Sequence, residues 1–560
     1  MILVIFLWIL ILFDFSVIGF SVAKIICRIS GSKENIGLIK PDEFFFIGFL
    51  TLSFFSGILS IFIPVGNIIL ICVSLFTLFL FLINFREINE IIQKVKKGVT
   101  LLSRVEFFFL IFLFIFILTA VVQKITLGDT ESYHAQSIQW VRKFAVVPGL
   151  GNIHGRLAFN SMFFVISGLF AFQIKDILIF PLNGICYLVL AIRLFSLYKK
   201  ENNQGTRWKA VLYLLTLLIS LLIMIPDLNS PSTDIICAIL VIYSFIIILN
   251  LEKKESQTSL FQFILLNLVV LSCITFKISS LFLIASLLFL FNKKNLNRIW
   301  ITVTIGILVF FSFIIRNYYL SGYLIYPFPA IDIFNVDWKI PYDDVLSMKL
   351  EIESWAKIST IPASDVIGLR VSQWIIPWFH LLNFNAKLIL TVNAFSIISI
   401  IIMLFKRDFF LAKIQFIILI NLIFWFLRAP DPRFAYGFIF LGFSLNIAFV
   451  LKLFENSSGS GLFKYVRISL ACFLILIICR RIMIPVDTLR NPSRWILPAS
   501  FGTVETREYF SDFHYRVPVP EGGCFNVEIP CVPYPLANIA MRGKNIQDGF
   551  KVVKKQVPTQ

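Results

Sequence analysis

Two acids, Asp129 and Glu131, stand two residues apart in the string GDTESYH, just after a long apolar run ends. A carboxylate at the mouth of a membrane cavity can act as a general base or as a metal ligand. The plainer role for Asp129 is to cap the amphipathic helix that is expected from Thr130 onward. His134 follows Glu131 by one helical turn, so the two can face one site. His154 and Arg156, in NIHGR, can approach the same place, and the glycines at 149, 151 and 155 mark a tight loop there. Further along, Asp227 sits in the turn MIPDLNSPSTD, where a second carboxylate could face the first loop. The simpler reading is a Pro/Asn turn with Asp234 or a neighbouring hydroxyl capping the next helix. Lys277, Arg316, Arg428 and Arg433 are cations at the ends of apolar runs. Such groups bind phosphate, snorkel to water or pair locally, as Arg428 and Arg433 can with Asp431 in WFLRAPDPRFAYG.

The elements that must position these residues are membrane helices. The chain has 560 residues, of which 58% are hydrophobic and 15% charged, with a mean hydropathy of +0.88. Soluble domains run about 45–50% apolar and about 25% charged, so a soluble enzyme, a disordered chain and a disulfide scaffold are excluded. The apolar residues fall in long runs rather than alternating, which excludes a β-barrel. The runs predict an all-α polytopic membrane protein with about 13–15 transmembrane helices. The opening run MILVIFLWILILF has no basic leader and no small-residue cleavage site, and it reads as a retained first helix.

The net charge is +18. Most of it lies in linkers at Lys24–Lys40, Arg86–Arg104, Lys199–Lys209, Lys253–Lys254, Lys293–Arg298, Lys406–Lys413 and Lys452–Arg467. Cytoplasmic loops carry such an excess of Lys and Arg, so the charge reads as an orientation signal and not as a nucleic-acid surface. This placement puts residues 124–157 and 316–385 in large outer loops, with 226–234 and 428–433 on the same side. Parity then leaves two readings: either 158–173 does not cross fully and lies at the interface or re-enters, or one basic linker lies on the other side. Residues 1–484 form the expected transmembrane domain. Residues 485–560 form a small Pro-rich extracytoplasmic C-terminal domain, which is expected to dock on the membrane part. Seven of the nine cysteines lie in or beside apolar segments; Cys524 and Cys531 flank a short loop in this tail and could be bridged.

Four strings occur in order: GDTESYH, the Pro-Asp turn, RNYYLSGYLIYPFP and APDPRF. Together they resemble the GT-C superfamily of polytopic membrane glycosyltransferases, most of all bacterial GT-C-like membrane proteins. In the third string the chain carries YLSGYLIYP where that family often has Gly-Asn-Pro. The resemblance implies a GT-C-like bundle that moves a sugar from a polyprenyl-phosphate-linked donor to a glycan, lipid or protein acceptor. The reaction would take place at the outer face of a bacterial cytoplasmic membrane. It implies that Asp129 is the general base or a metal ligand, and that Glu131 is its partner, orienting the acceptor or a divalent cation such as Mg or Mn. Independently of the resemblance, transfer needs positive charge on the departing phosphate, and Lys277, Arg316, Arg428 and Arg433 are candidates. His134, His154, Arg156 and Asp227 are the remaining expected substrate contacts. Two other functions fit the same features: a polymerase or ligase of lipid-linked glycans, and a transporter or flippase of lipid-linked sugars.

Overall fold

Long apolar runs fold as helices because, in lipid, each backbone N–H and C=O must find its partner within the segment. The computed structural model describes residues 1–31, 36–174, 177–251, 259–291, 295–455, 461–481, 483–502 and 504–553. Lys253, Lys254 and parts of the linkers at 24–40, 293–298 and 452–467 lie outside them. Among the described residues, ten helices are long and apolar enough to cross a membrane, or up to twelve if two bent pairs each count as one span. The chain is thus a multi-pass helical protein, with fewer spans than the run count suggests.

Five runs account for the difference. The segment 158–173 yields only the helix Met162–Leu169, followed by a hairpin that pairs Phe172–Ile174 with Ile177–Ile179. Eight residues rise about 12 Å, well short of a hydrocarbon core of about 30 Å. The run at 260–276 forms a helix of only 17 residues, Leu260–Phe276, and the run at 278–291 forms a 3-10 helix, Ile278–Phe289. The run at 65–85 gives Asn67–Ile83, which turns by 87° into Phe85–Thr100. The last, 466–484, lies in the second bent pair, Ile468–Arg481 with Met483–Arg490.

The spans Arg207–Asp227 and Thr233–Leu251 form the centre, each 89% buried, whereas Leu296–Ser321 is only 17% buried and lies at the periphery. Ile2–Ile29 crosses Pro41–Phe62 at a pair of glycines. A Cβ on Gly19 would lie 1.8 Å from the Phe44 carbonyl oxygen, and one on Gly48 1.8 Å from that of Phe15. Small residues allow this approach, which is common between membrane helices. Several ionisable groups are buried in the spans, Asp14 and Arg193 among them. Asp14 accepts a hydrogen bond from Ser74 Oγ (3.0 Å). Arg193 pairs with Asp42 (3.3 Å), which also accepts from the Tyr243 hydroxyl (2.9 Å).

The C-terminal segment forms a hairpin of Thr506–Phe510 with His514–Pro518 and a second pairing of Ile539–Met541 with Phe550–Val552. Cys524 and Cys531 form a disulfide. Phe513, Tyr515, Val517 and Phe550 pack into one apolar cluster with Trp140, Leu150, Leu157 and Leu320. At Gly149 (φ +66°) the backbone approaches so closely that a Cβ would lie 2.1 Å from the Phe550 carbonyl oxygen. The segment is therefore seated on the loop 144–157 and on the helix Ala135–Lys143.

Candidate functional site

Asp129 opens a single π-helical turn, Thr130–His134, that runs into the helix Ala135–Lys143. Its side chain makes no capping hydrogen bond. One oxygen accepts from Arg156 Nη1 (3.4 Å) and the other from Arg433 Nη1 (3.3 Å). The carboxylate thus bridges two distant parts of the chain, and its capping role gives way to ion pairing.

Each arginine is held by other groups. Arg156, on the 3-10 turn Gly155–Ala158, also reaches Glu351 (3.2 Å) and lies over the Tyr133 ring (5.8 Å). Arg433, on the turn Pro432–Ala435, donates through Nε to Asp431 (3.3 Å). Asp431 also accepts from the Arg433 backbone N–H (2.9 Å), and the guanidinium lies over Trp355 (5.3 Å). Asp431 is fixed in turn because its carbonyl accepts from Trp425 Nε1 (2.6 Å). Lys277, where the helix Leu260–Phe276 ends, pairs with Asp234 in the first turn of Thr233–Leu251. It stands 3.8 Å above the Phe434 ring.

A hydroxyl layer supports this cluster from below. Thr130 Oγ1 lies 2.7 Å from Ser230 Oγ and 3.3 Å from His134 Nδ1. Asn183 donates to the carbonyls of Ser230 (2.7 Å) and Ser232 (2.9 Å). The polar turn MIPDLNSPSTD is therefore tied to the acidic string by side-chain bonds.

The electrostatics follow from this packing. Burial works against the ionised form of Asp129, but His134, Arg433, Arg156 and Lys277 outweigh it and hold the carboxyl below its usual value. Burial lowers His134 to about 4, so its charge adds to this hold only when it is protonated, near and below pH 4; at neutral pH it is uncharged, and the arginines and the lysine keep Asp129 ionised. Burial pushes Asp431 up, against the pull of Arg433. Asp129 keeps 25% of its side-chain surface exposed and Arg433 keeps 21%, so the cluster is reachable.

The other expected site residues lie elsewhere. Glu131 is against the C-terminal segment: its carbonyl accepts from the Phe525 N–H (2.8 Å). Partial burial raises its pKa, opposed by Lys124. His154 is buried, with its ring 6.4 Å from that of Tyr534. Burial, and then Arg156, lower it to about 3. Asp227 ends the turn Ile225–Asp227, within electrostatic reach of Arg433, Arg481 and Asp129. Arg316 donates to Ser60 Oγ (2.9 Å) and Asn160 Oδ1 (3.2 Å), not to the acids. Arg428 is exposed at the end of Phe409–Arg428 and has no ion pair among the described residues.

The residues do not fit the divalent cation implied for Asp129 and Glu131. Both Asp129 oxygens face guanidinium groups, and Glu131 lies apart from them. Among the described residues, no three His, Cys, Asp or Glu side chains converge as a metal set. The cluster also contains groups that the sequence did not single out. Glu351 and Trp355 come from the helix Tyr342–Lys357, and Phe434 lies beneath Lys277. Asp234 as the counter-ion of Lys277 was legible as opposite charges at the facing ends of neighbouring helices. Nothing in the sequence singles out Glu351.

No curated protein and no solved structure matches this chain. A family model described as Domain of unknown function (DUF8201) matches residues 1–440. That span takes in Asp129, Arg156, Asp234, Lys277, Glu351, Asp431 and Arg433, and it ends before the segment that carries the disulfide. By that match, which covers most of its length and the whole of its charged cluster, the chain belongs to the DUF8201 family.

Proposed function

We propose that this chain is a membrane glycosyltransferase of the GT-C type that transfers a sugar from a polyprenyl-phosphate-linked donor to a glycan, lipid or protein acceptor. One observation carries the reading: Asp129, a reachable carboxylate, is clamped by Arg156 and Arg433 beside Lys277 at one end of a membrane bundle. In the transfer, the acceptor hydroxyl gives its proton to Asp129 and its oxygen attacks the anomeric carbon. The bond from that carbon to the phosphate oxygen breaks, and the phosphate leaves with the electron pair. Arg156, Arg433 and Lys277 stabilise the charge that develops on it. The same exchange prepares the base: when the guanidiniums turn to phosphate, Asp129 loses the charges that depress its pKa, and its proton affinity rises. Arg316 and Arg428 have no part in this scheme.

The arrangement of charge supports an outward-facing site in a cytoplasmic membrane. The basic linkers at 199–209 and 406–413 lie at the other ends of the spans that lead to Asp129, as expected of a cytoplasmic face. A disulfide at the Asp129 end suits an oxidising compartment. The test is transfer from a labelled polyprenyl-phosphate sugar in proteoliposomes. Asp129→Asn should lower the rate at least ~100-fold, the usual worth of a positioned base, while the protein still purifies as a single folded species. Full activity in that variant would refute the assignment.

A further inference from the structure

A second polar site lies apart from the Asp129 cluster. A cavity of about 20 Å³ is lined by the helix Ala135–Lys143, the loop that follows it and the outer helix Ile299–Ser321. Its walls are largely apolar, Phe164 and Leu320 among them, but Arg316, Trp140 and Ser137 bring donors to it, beside Asn160 and Ser161, which donate to the Phe313 and Phe276 carbonyls. Arg316, Trp140 and Ser137 are each more than nine-tenths buried, with 5%, 3% and 7% of their surface exposed. Among the described residues, Trp140 Nε1 and Ser137 Oγ find no hydrogen-bond partner.

Arg316 is a buried cation with only neutral partners. Asn160 Oδ1 accepts from its Nε (3.2 Å) and Ser60 Oγ from its Nη1 (2.9 Å). Among the described residues no carboxylate lies within ion-pair distance of it. A guanidinium offers five N–H donors and stays charged, and a buried charge without a counter-charge is costly. Water could satisfy the indole and the hydroxyl, but it could not neutralise the arginine. The volume is about that of one water-sized occupant, too small for a phosphate ester.

We propose that Arg316, Trp140 and Ser137 bind a small monovalent anion of halide size, which completes the packing of the helix Ala135–Lys143 against Ile299–Ser321. The anion would receive N–H donors from the guanidinium and the indole and an O–H donor from the serine. The site is structural, so it does not depend on the transferase reading.

The test is the unfolding midpoint of the full chain in non-ionic detergent, titrated with sodium chloride against sodium gluconate at constant ionic strength. The wild type should show a midpoint that rises with chloride and saturates, and bromide should substitute. Trp140→Phe keeps the ring and removes the donor, so it should need about tenfold more chloride for the same shift, as expected for one lost charge-assisted hydrogen bond. Ser137→Ala should behave alike. A midpoint that does not distinguish chloride from gluconate would overturn the proposal and leave an ordered water between the indole and the hydroxyl. So would a Trp140→Phe variant with unchanged chloride dependence. A response to anionic lipid in place of halide would also overturn it, by placing a headgroup there.

Discussion

At the scale of single residues, the site depends on which groups are charged at neutral pH. Burial lowers His134 from 6.5 to about 4 and His154 to about 3, so both are neutral in the folded protein. The unfolded chain binds protons at these positions below about pH 6.5, whereas the folded protein does not until near pH 4. Stability therefore falls as the pH is lowered across that window and is flat above it. For His134 the loss is of order 3 kcal/mol by pH 4. Asp129, held below its usual value, loses its contribution at still lower pH; Glu131 and Asp431, which burial raises, oppose these effects. Comparison of unfolding midpoints of the wild type and His134→Gln between pH 7 and 4 isolates the histidine, and the variant should show a flatter profile. Equal slopes would mean that burial does not shift His134, which would then be protonated below about pH 6.5 and help to hold Asp129 ionised there. Asp129 and Arg433 were legible in the sequence as a charged pair of segments on one side, but the partnership with Glu131 was not. Residues two apart on a helical turn point in different directions, and here Asp129 meets the arginines while Glu131 meets the C-terminal segment.

At the scale of elements, the lengths of apolar runs reveal the helices but not which of them cross. A buried run of 10–17 residues reads like a short span, and Met162–Leu169 and Ile278–Phe289 show the ambiguity. What positions the site is where helices end. Thr233–Leu251 carries Asp234 in its first turn, Leu260–Phe276 ends at Lys277, and the pair between them locks these two ends against Phe434. Asp234 keeps only 8% of its side chain exposed. Lys277→Met leaves that carboxylate buried with Arg433 as its remaining cation, so the cost should fall near the low end of the range for broken buried pairs, about 3 kcal/mol. Adding Asp234→Asn should recover much of the loss, because two neutral partners leave no buried charge. A thermal-shift cycle over the wild type, both single variants and the double variant measures the coupling. Additive effects would show that the two ends are not energetically joined.

For the whole molecule, charge is divided by side: basic linkers at one end, and the Asp129 cluster and the disulfide at the other. This division was the most legible feature of the sequence, since short loops alternate in charge with each crossing. Less legible was that the C-terminal segment packs on the loop 144–157, because its apolar residues are scattered and find each other only across the fold. The orientation that follows can be tested with the native cysteines. Cys72, Cys472 and Cys479 are exposed on helices whose outer sides are expected to meet lipid, and Cys27, Cys186, Cys237 and Cys273 are buried. An aqueous maleimide needs a thiolate in contact with water, so all seven should react poorly. Cys524 and Cys531 are bridged and inert until reduced. In intact cells, a membrane-impermeant reductant followed by a polyethylene-glycol maleimide should add two labels, and the maleimide alone should add none. Labelling by the same steps only after the membrane is permeabilised would place the disulfide, and with it Asp129, on the cytoplasmic side. The donor would then have to be met inside, where the basic linkers are now expected, and both the outward-facing site and the positive-inside assignment would fall together.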